Sequence, residues 1–462
     1  MSRRGPLSVL FILMLLLGAC GGGGDDGEQA EGGGQGGGGE SAAPEDLSGE
    51  LFAFGFSYEQ GDVIAKTRVD AFREQYPDVS VEFSESGFES QPFLSALAGG
   101  DPPDLVNIPR NQIGTYIARG VLAPLDECIA QQGVDTGTFY QAGLDQVTVD
   151  GTVYAFPEFF NTRVWILNNS VFEDAGLDPE ELDLSDWDAI AQANEQLTQV
   201  EGGNVTRIGL DPKLPEFLPL WAWANGTPVI SEDGTQATLD DPGVAEALTF
   251  AASMHEPAGG RVPFLDFRDT WDFFGSANQY AEDQFAGMPM EQWYLGVLAE
   301  VSPDEEVTVR PFQTREGEDF TWADGNSWAI TASSDNYEAA CAFAASMVST
   351  DSWLAAAEAG AEERAAEDQP FTGVFTGNSE ADEQIFNEIV DLSDTPGLEA
   401  AVQTVVDGQQ NAFALPPSPA AHEFEDAYMS AGNAVMDEGT PAEQALQQAQ
   451  QTAQQAIDSA AH

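Results

Sequence analysis

Basic residues are what this chain has least of. Against 79 Asp and Glu stand 15 Lys and Arg, and only Lys66 and Lys213 are lysines, so the formal net charge over 462 residues is −64. A surface this acidic excludes nucleic acid and anionic lipid headgroups as partners, because both repel it. Histidine is almost as scarce. His255, His422 and His462 lie far apart with no H-x-x-x-H pair, so no zinc-protease helix exists. No G-x-S-x-G elbow and no Gly-Lys pair occur, which removes the α/β-hydrolase nucleophile and the phosphate loop. The absence of a D-x-[DN]-x-[DN]-G loop argues against a calcium-loaded surface protein. Carboxylates abound, but in such a chain a pair of them is no evidence for a glycosidase. No metal or cofactor is therefore expected. Apart from the N-terminus, no apolar run approaches the 18 residues that a membrane-spanning helix needs.

Cysteine is scarce too, and its placement is informative. Cys20 follows Leu17-Gly18-Ala19 at the end of an apolar run, residues 7–17, with Arg3 and Arg4 upstream. That run is too short to span a bilayer and has the layout of an export signal. The Leu-Gly-Ala-Cys segment resembles the bacterial lipobox, so residues 1–19 are expected to be a signal peptide and Cys20 the lipidated first residue. Residues 20–47 are a glycine-rich acidic linker containing GGGG and GGGQGGGG. A segment with so little apolar surface cannot offset its ordering entropy. It is expected to act as a leash of about 25–30 Å r.m.s. span. The expected location is the extracytoplasmic face of the cell membrane. Cys128 and Cys341 are expected either to pair, as an exported protein allows, or to remain free and buried.

What remains is a body of roughly 415 residues, enough for two domains with cores. The chain is 42% hydrophobic and 10% aromatic, which a disordered chain is not. Its first stretch reads as βα units. Leu51–Phe54 is a strand, Ile64, Val69, Phe72 and Tyr76 share a helix face, and Val79, Val81 and Phe83 alternate as in a half-buried strand. Phe93, Leu94 and Leu97 form a second helix ending at Gly99-Gly100, and Leu105–Ile108 is a third strand. That order implies a parallel sheet with right-handed crossovers. In such sheets ligands lie beyond the carboxyl ends of the strands, which here carry Phe56-Ser57-Tyr58-Glu59, Ser84-Glu85-Ser86 and Arg110-Asn111-Gln112. Further along, Asp150-Gly151 is a hairpin-like turn, Val164–Leu167 a buried strand, and Ser185 the expected cap of a helix beginning at Trp187. Helices are expected at 337–348, at 353–366 and after Thr440-Pro441-Ala442-Glu443, where Ala445, Leu446, Ala449, Ala453, Ala456 and Ile457 form an apolar stripe.

Several short segments, in order, resemble the extracellular solute-binding proteins of ABC transporters, family 1, the maltose-type binders. They are Tyr76-Pro77-Asp78-Val79, Leu97-Ala98-Gly99-Gly100-Asp101-Pro102-Pro103-Asp104-Leu105, Leu122-Ala123-Pro124-Leu125-Asp126, Asp150-Gly151-Thr152-Val153-Tyr154-Ala155-Phe156-Pro157, Ile166-Leu167-Asn168, Ala175-Gly176-Leu177, Gly287-Met288 and Ser327-Trp328-Ala329-Ile330. The resemblance covers roughly residues 50–460. It implies a periplasmic-binding-protein type II fold, two α/β lobes with a hinge and an interlobe ligand cleft. Lobe 1 would hold 48–157 plus 326–367, and lobe 2 would hold 158–325 plus 368–462. The function implied is capture of an extracellular solute, a sugar or oligosaccharide, by lobe closure and its delivery to the permease subunits. The protein is expected to be a monomer and not an enzyme.

By position in that resemblance, the ligand-binding residues are Phe56, Tyr58 and Glu59 after the first strand, Arg110 and Asn111 after the third, and Asn161 and Arg163 at the first crossing. Glu216, Trp221, Trp293, Asp324, Asn326 and Phe424 complete the set, with Trp293 as stacking platform. Two departures stand out: Asp324-Gly325-Asn326 replaces a common Gly-Gly, and Asn161 replaces an acid found in some relatives. Arg110 and Arg163 are alternatively structural ion-pair partners. Trp165, Trp187, Trp271 and Trp353 are expected in the core. Trp221 and Trp223, two apart, cannot share a helix face. Peptides and polyamines are the rival ligands, and a carbohydrate-active enzyme or an adhesive surface protein the rival functions.

Overall fold

The computed structural model describes residues 47–58, 62–100 and 102–460. Cys20, the leader, the glycine-rich linker and Glu59 lie outside the described residues. Within them, no helix is long and apolar enough to cross a membrane.

The first lobe is built on a five-stranded sheet ordered Val79–Phe83, Gly49–Phe54, Leu105–Pro109, Asn326–Ile330, Ala155–Pro157. Its first three strands are parallel, as the βα reading requires, and Asn326–Ile330 runs antiparallel to Leu105–Pro109. Helix Val63–Gln75 starts where the Asp62 side chain accepts from Ala65 N, and it buries Ala65, Val69 and Phe72, the last edge-on to Phe343 of helix Tyr337–Val348. Helix Ser90–Gly99 ends at Gly100 in the left-handed region (φ +83°). Cys128 and Cys341 form a disulfide with Cα atoms 5.5 Å apart, tying helix Asp126–Gln132 to Tyr337–Val348.

The second lobe is centred on strand Asn161–Asn168. Glu291 and Trp322, from strands Phe285–Glu291 and Asp319–Asp324 on either side, both stand opposite Arg163. Residues 162–168 are buried without a break because helices cover both faces. Trp165 and Leu167 enter a core with Trp187, Trp221, Leu248 and Leu446. Val164 and Ile166 enter another with Phe264, Tyr280, Met288 and Val405. The C-terminal helix Ala442–Ala460 buries the stripe read from the sequence, with Ala456 only partly covered.

Some boundaries differ from the sequence reading for local reasons. Helix Trp187–Leu197 is capped by Asp186, whose carboxylate accepts from Asp188 N and Ala189 N, and not by Ser185, whose hydroxyl donates to Asp183. The helix expected from Trp353 begins at Thr350, because the Ser349 hydroxyl accepts from Ser352 N. Residues 379–389 pack their Ala381 and Ile385 against Trp353 and Ala357 of helix Thr350–Ala366.

Two strand connections run from one sheet to the other. Pro157 leads through 158–160 into Asn161, and Asp324 leads into Asn326 through Gly325 alone. Gly325 has φ +143°, and a Cβ there would lie 2.2 Å from the Phe159 carbonyl oxygen, so the close approach of the two connections needs glycine. A third segment passes beside them, bridging Thr376 to Phe159 and Asn378 to Phe139.

Candidate functional site

At the junction of the lobes the strand ends leave two recesses. The first, a cavity of about 440 Å³, is lined on one side by Asp62 and helix Thr350–Ala366, and on the other by Asn161, Gln292, Trp293 and the loop 370–375. Trp293 follows the end of strand Phe285–Glu291 and is 39% exposed. Its ring lies parallel to that of Phe274, which is 62% exposed, with centroids 6.3 Å apart and planes inclined by 11°. The exposed Trp293 ring at this cavity, with Phe274 parallel to it, gives a platform for the C–H face of a sugar ring or another flat apolar group. Gln292 is locked in place: its side chain accepts from Thr162 N at 2.7 Å and donates to the Phe160 carbonyl at 3.1 Å.

The second recess, about 270 Å³, is lined from the first lobe by Pro109, Asn111 and Gln112. From the second come Arg163, Glu216, Trp322, Asp324, Phe424, Glu425 and Tyr428. Arg163 is nearly buried. It lies over the Trp322 ring at 4.1 Å and pairs with Glu291 at 3.2 Å and Asp324 at 3.9 Å. Asn111 Nδ2 donates to Glu425 at 3.5 Å. Burial, then the nearby charge of Asp324, raises the Glu425 carboxyl above its usual range. Burial, then Glu425 and Glu216, raises the Tyr428 hydroxyl far above its own.

The residues singled out in the sequence therefore divide. Asn161 and Trp293 meet in the first recess, and Asn111, Arg163, Glu216, Asp324 and Phe424 meet in the second. Phe56, Tyr58, Arg110, Trp221 and Asn326 line neither. Phe56 is buried against Trp328 (5.0 Å) and Phe83 (5.7 Å), and Tyr58 stacks on Phe83 at 4.9 Å. Trp221 is a core residue whose indole donates to the Pro212 carbonyl, and its neighbour Trp223 lies flat on Phe413 at 4.3 Å. Trp165, Trp187 and Trp353 are buried, and Trp271 is partly so.

Arg110 has a structural task. It is fully buried and donates through Nε to Gln146, and through Nη1 to the carbonyls of Phe159 and Asn326, one from each strand connection. Burial pushes its pKa down to about 10. Asn326 donates to Asn107, which itself donates to the buried carboxylate of Glu158, the partner of Arg68 at 2.8 Å. The residues flanking the connections thus form a locked network.

Sequence reasoning passed over Trp322, Glu425 and Tyr428. Trp322 is two residues before Asp324 on one strand and so shares its face. Tyr428 is one helical turn beyond Phe424. Both spacings were available signals.

Two α/β lobes joined by crossing strands, with polar and aromatic recesses at their junction, define a binding protein of the periplasmic type II fold. The family model described as bacterial extracellular solute-binding protein matches residues 67–362, and the chain belongs to that family. It is 25% identical over 329 residues to the arabinooligosaccharide-binding protein of Halalkalibacterium halodurans, covering 66% of this chain and 69% of that one. Among solved structures, CpMnBP1 with mannobiose bound superposes with a TM-score of 0.70 at 21% identity, covering 87% of this chain and 99% of that one. An ABC substrate-binding protein from Listeria monocytogenes in complex with cycloalternan gives 0.69 at 21% identity, covering 89% and 100%. These relatives are solute-binding proteins and not enzymes.

Proposed function

We propose that this protein is the solute-capturing component of an ABC importer and that its solute is an oligosaccharide, held at the lobe junction and handed to a membrane permease. The observation that carries the reading is the first recess, where the exposed Trp293 lies beside Asn161, Gln292 and Asp62, with the ring of Phe274 parallel to its own. Such rings cover the C–H faces of sugars, and amide and carboxylate groups satisfy the hydroxyl rim. The arabino-oligosaccharide and mannobiose ligands of the relatives support the same class. In this reading the lobes, 48–157 with 326–367 and 158–325 with 368–462, close on the sugar, and the protein acts as a monomer without catalysis. Lipidation of Cys20 holds it to the extracytoplasmic face, with residues 20–47 as leash.

Thermal unfolding of a Cys20→Ser protein with arabino-, manno- and malto-oligosaccharides tests the proposal. A ligand at a hundred times its Kd stabilises by about 2.7 kcal/mol, which shifts the transition measurably. The cognate sugar should raise Tm and be recovered intact. A shift with peptides alone, or cleavage of the sugar, would overturn the reading. The same substitution should release the protein from membranes, and retention would sink the anchor.

A further inference from the structure

The second recess is lined by three carboxylates around one arginine. Glu216, Asp324 and Glu425 converge there. The one cation among them, Arg163, is engaged by Glu291 and Asp324. That leaves Glu216 and Glu425 with no Lys or Arg partner among the described residues, and Glu425 is only partly open to water. The Asn111 Oδ1 acceptor also has no partner.

Two donors carried by nearly buried side chains point to a ligand independently of the carboxylates. Arg163 is 7% exposed, and its Nε has no hydrogen-bond partner. Tyr428 is 3% exposed and lines the recess, and its hydroxyl has no partner among the described residues. Buried polar groups are normally satisfied, so the unmet Arg163 Nε, together with the Tyr428 hydroxyl left open to the recess, calls for a partner. The missing partner therefore offers oxygens to these donors and several N–H or O–H donors to the carboxylates. A neutral sugar's hydroxyls can donate to the carboxylates and accept from the donors but leave the gathered negative charge uncompensated. A uronate would place a fourth carboxylate among three. A protonated amine supplies three donors and the opposite charge.

We infer that the second recess takes an amino sugar, its protonated amine between Glu216, Asp324 and Glu425 and its hydroxyls on Tyr428 and Arg163. The inference rests on the oligosaccharide reading and narrows it. The ammonium chemistry is shared with polyamines, so the test carries both.

Titration calorimetry compares four ligands: the β-1,4 dimer of glucosamine, its N-acetylated counterpart, a galacturonate dimer and spermidine. The two glucosamine dimers share a frame and differ in the amine charge. The free amine should bind at least tenfold tighter than the acetylated dimer, and the uronate should not bind. Because a chain of −64 attracts any cation, two variants with equal charge change are compared. Glu216→Gln/Glu425→Gln should reduce the amine preference toward unity. Glu180→Gln/Glu181→Gln, on an exposed turn away from the recess, should keep it. Thermal unfolding of each variant confirms folding. Equal binding of the two dimers, or a preference that survives Glu216→Gln/Glu425→Gln, would overturn the inference and leave the oligosaccharide reading standing. Binding of spermidine with no sugar would overturn the sugar and keep the amine recess. No binding by any sugar or amine, arabino- and manno-oligosaccharides included, would overturn both.

Discussion

At the scale of single residues, the decisive distinction is between side chains the junction displays and side chains it consumes. Trp293 is displayed: it is 39% exposed, with its ring parallel to Phe274 and edge-on to Tyr294. Trp293→Ala should weaken oligosaccharide binding about thirtyfold, the roughly 2 kcal/mol typical of a central aromatic anchor, with Tm of the unliganded protein little changed. Calorimetry checks it, and unchanged affinity would remove Trp293 from the site. Arg68 is consumed. It is fully buried, pairs with Glu158 at 2.8 Å and stacks over Trp353 at 3.8 Å. Arg68→Met should cost about 3–5 kcal/mol, because Glu158 would be left as an uncompensated buried charge. Adding Glu158→Gln should recover a substantial part of that loss, since the charge is what the interior cannot tolerate. Chemical denaturation of the two variants measures both, and a double variant no more stable than the single one would contradict the argument.

At the scale of elements, what the sequence disclosed was what local periodicity encodes. The stripe Val69–Phe72, the alternation in Val79–Phe83 and the continuous run Val164–Leu167 each state their own burial, and the sheet places them accordingly. The destinations of Arg110 and Asn326 were not legible. They depend on the register of strands more than 200 residues apart, such as Asn326 opposite Pro109, which no window of sequence contains. Asp382 belongs to the same category. From helix Ser379–Gln384 it accepts from Thr376 N beside the strand connections, from Tyr140 OH and from Gln409 of helix Pro396–Gln409, with no cation among these partners. Burial, against the pull of those donors, pushes its carboxyl up to about 7. An ordinary unfolded Asp titrates near ~3.9, so the folded state holds its proton the more tightly. The stability contributed by Asp382 is therefore full below about pH 4 and is lost as pH rises through about 7. Asp382→Asn cannot ionise but still offers an acceptor, so the difference in stability between wild type and variant should slope between pH 4 and 7 and level off outside. A difference flat across that window would show that Asp382 ionises as freely folded as unfolded.

At the scale of the whole molecule, charge is the dominant fact. The 79 acids and 15 bases cannot pair with one another, and several of the bases that do pair are buried or half-buried, such as Arg68, Arg163 and Arg207. Folding gathers the remaining carboxylates onto one compact surface, where they repel more strongly than along an expanded chain. The exposed pairs, Lys66–Asp70 and Arg119–Glu423 among them, offset little, since such bridges are worth about 0–1 kcal/mol each. Added salt acts on both terms in opposite directions. It weakens these few attractions and relieves many repulsions, so the repulsions decide the sign. The screening length falls from about 10 Å at 0.1 M to about 3 Å at 1 M. Melting temperature should therefore climb with KCl, most steeply below about 1 M, and flatten toward 2 M as screening saturates. Sucrose raises stability by exclusion from the surface and leaves charge unscreened, so it should produce no comparable steep initial rise. A flat or falling Tm across the KCl series would mean that the folded surface does not carry its repulsion as stored energy.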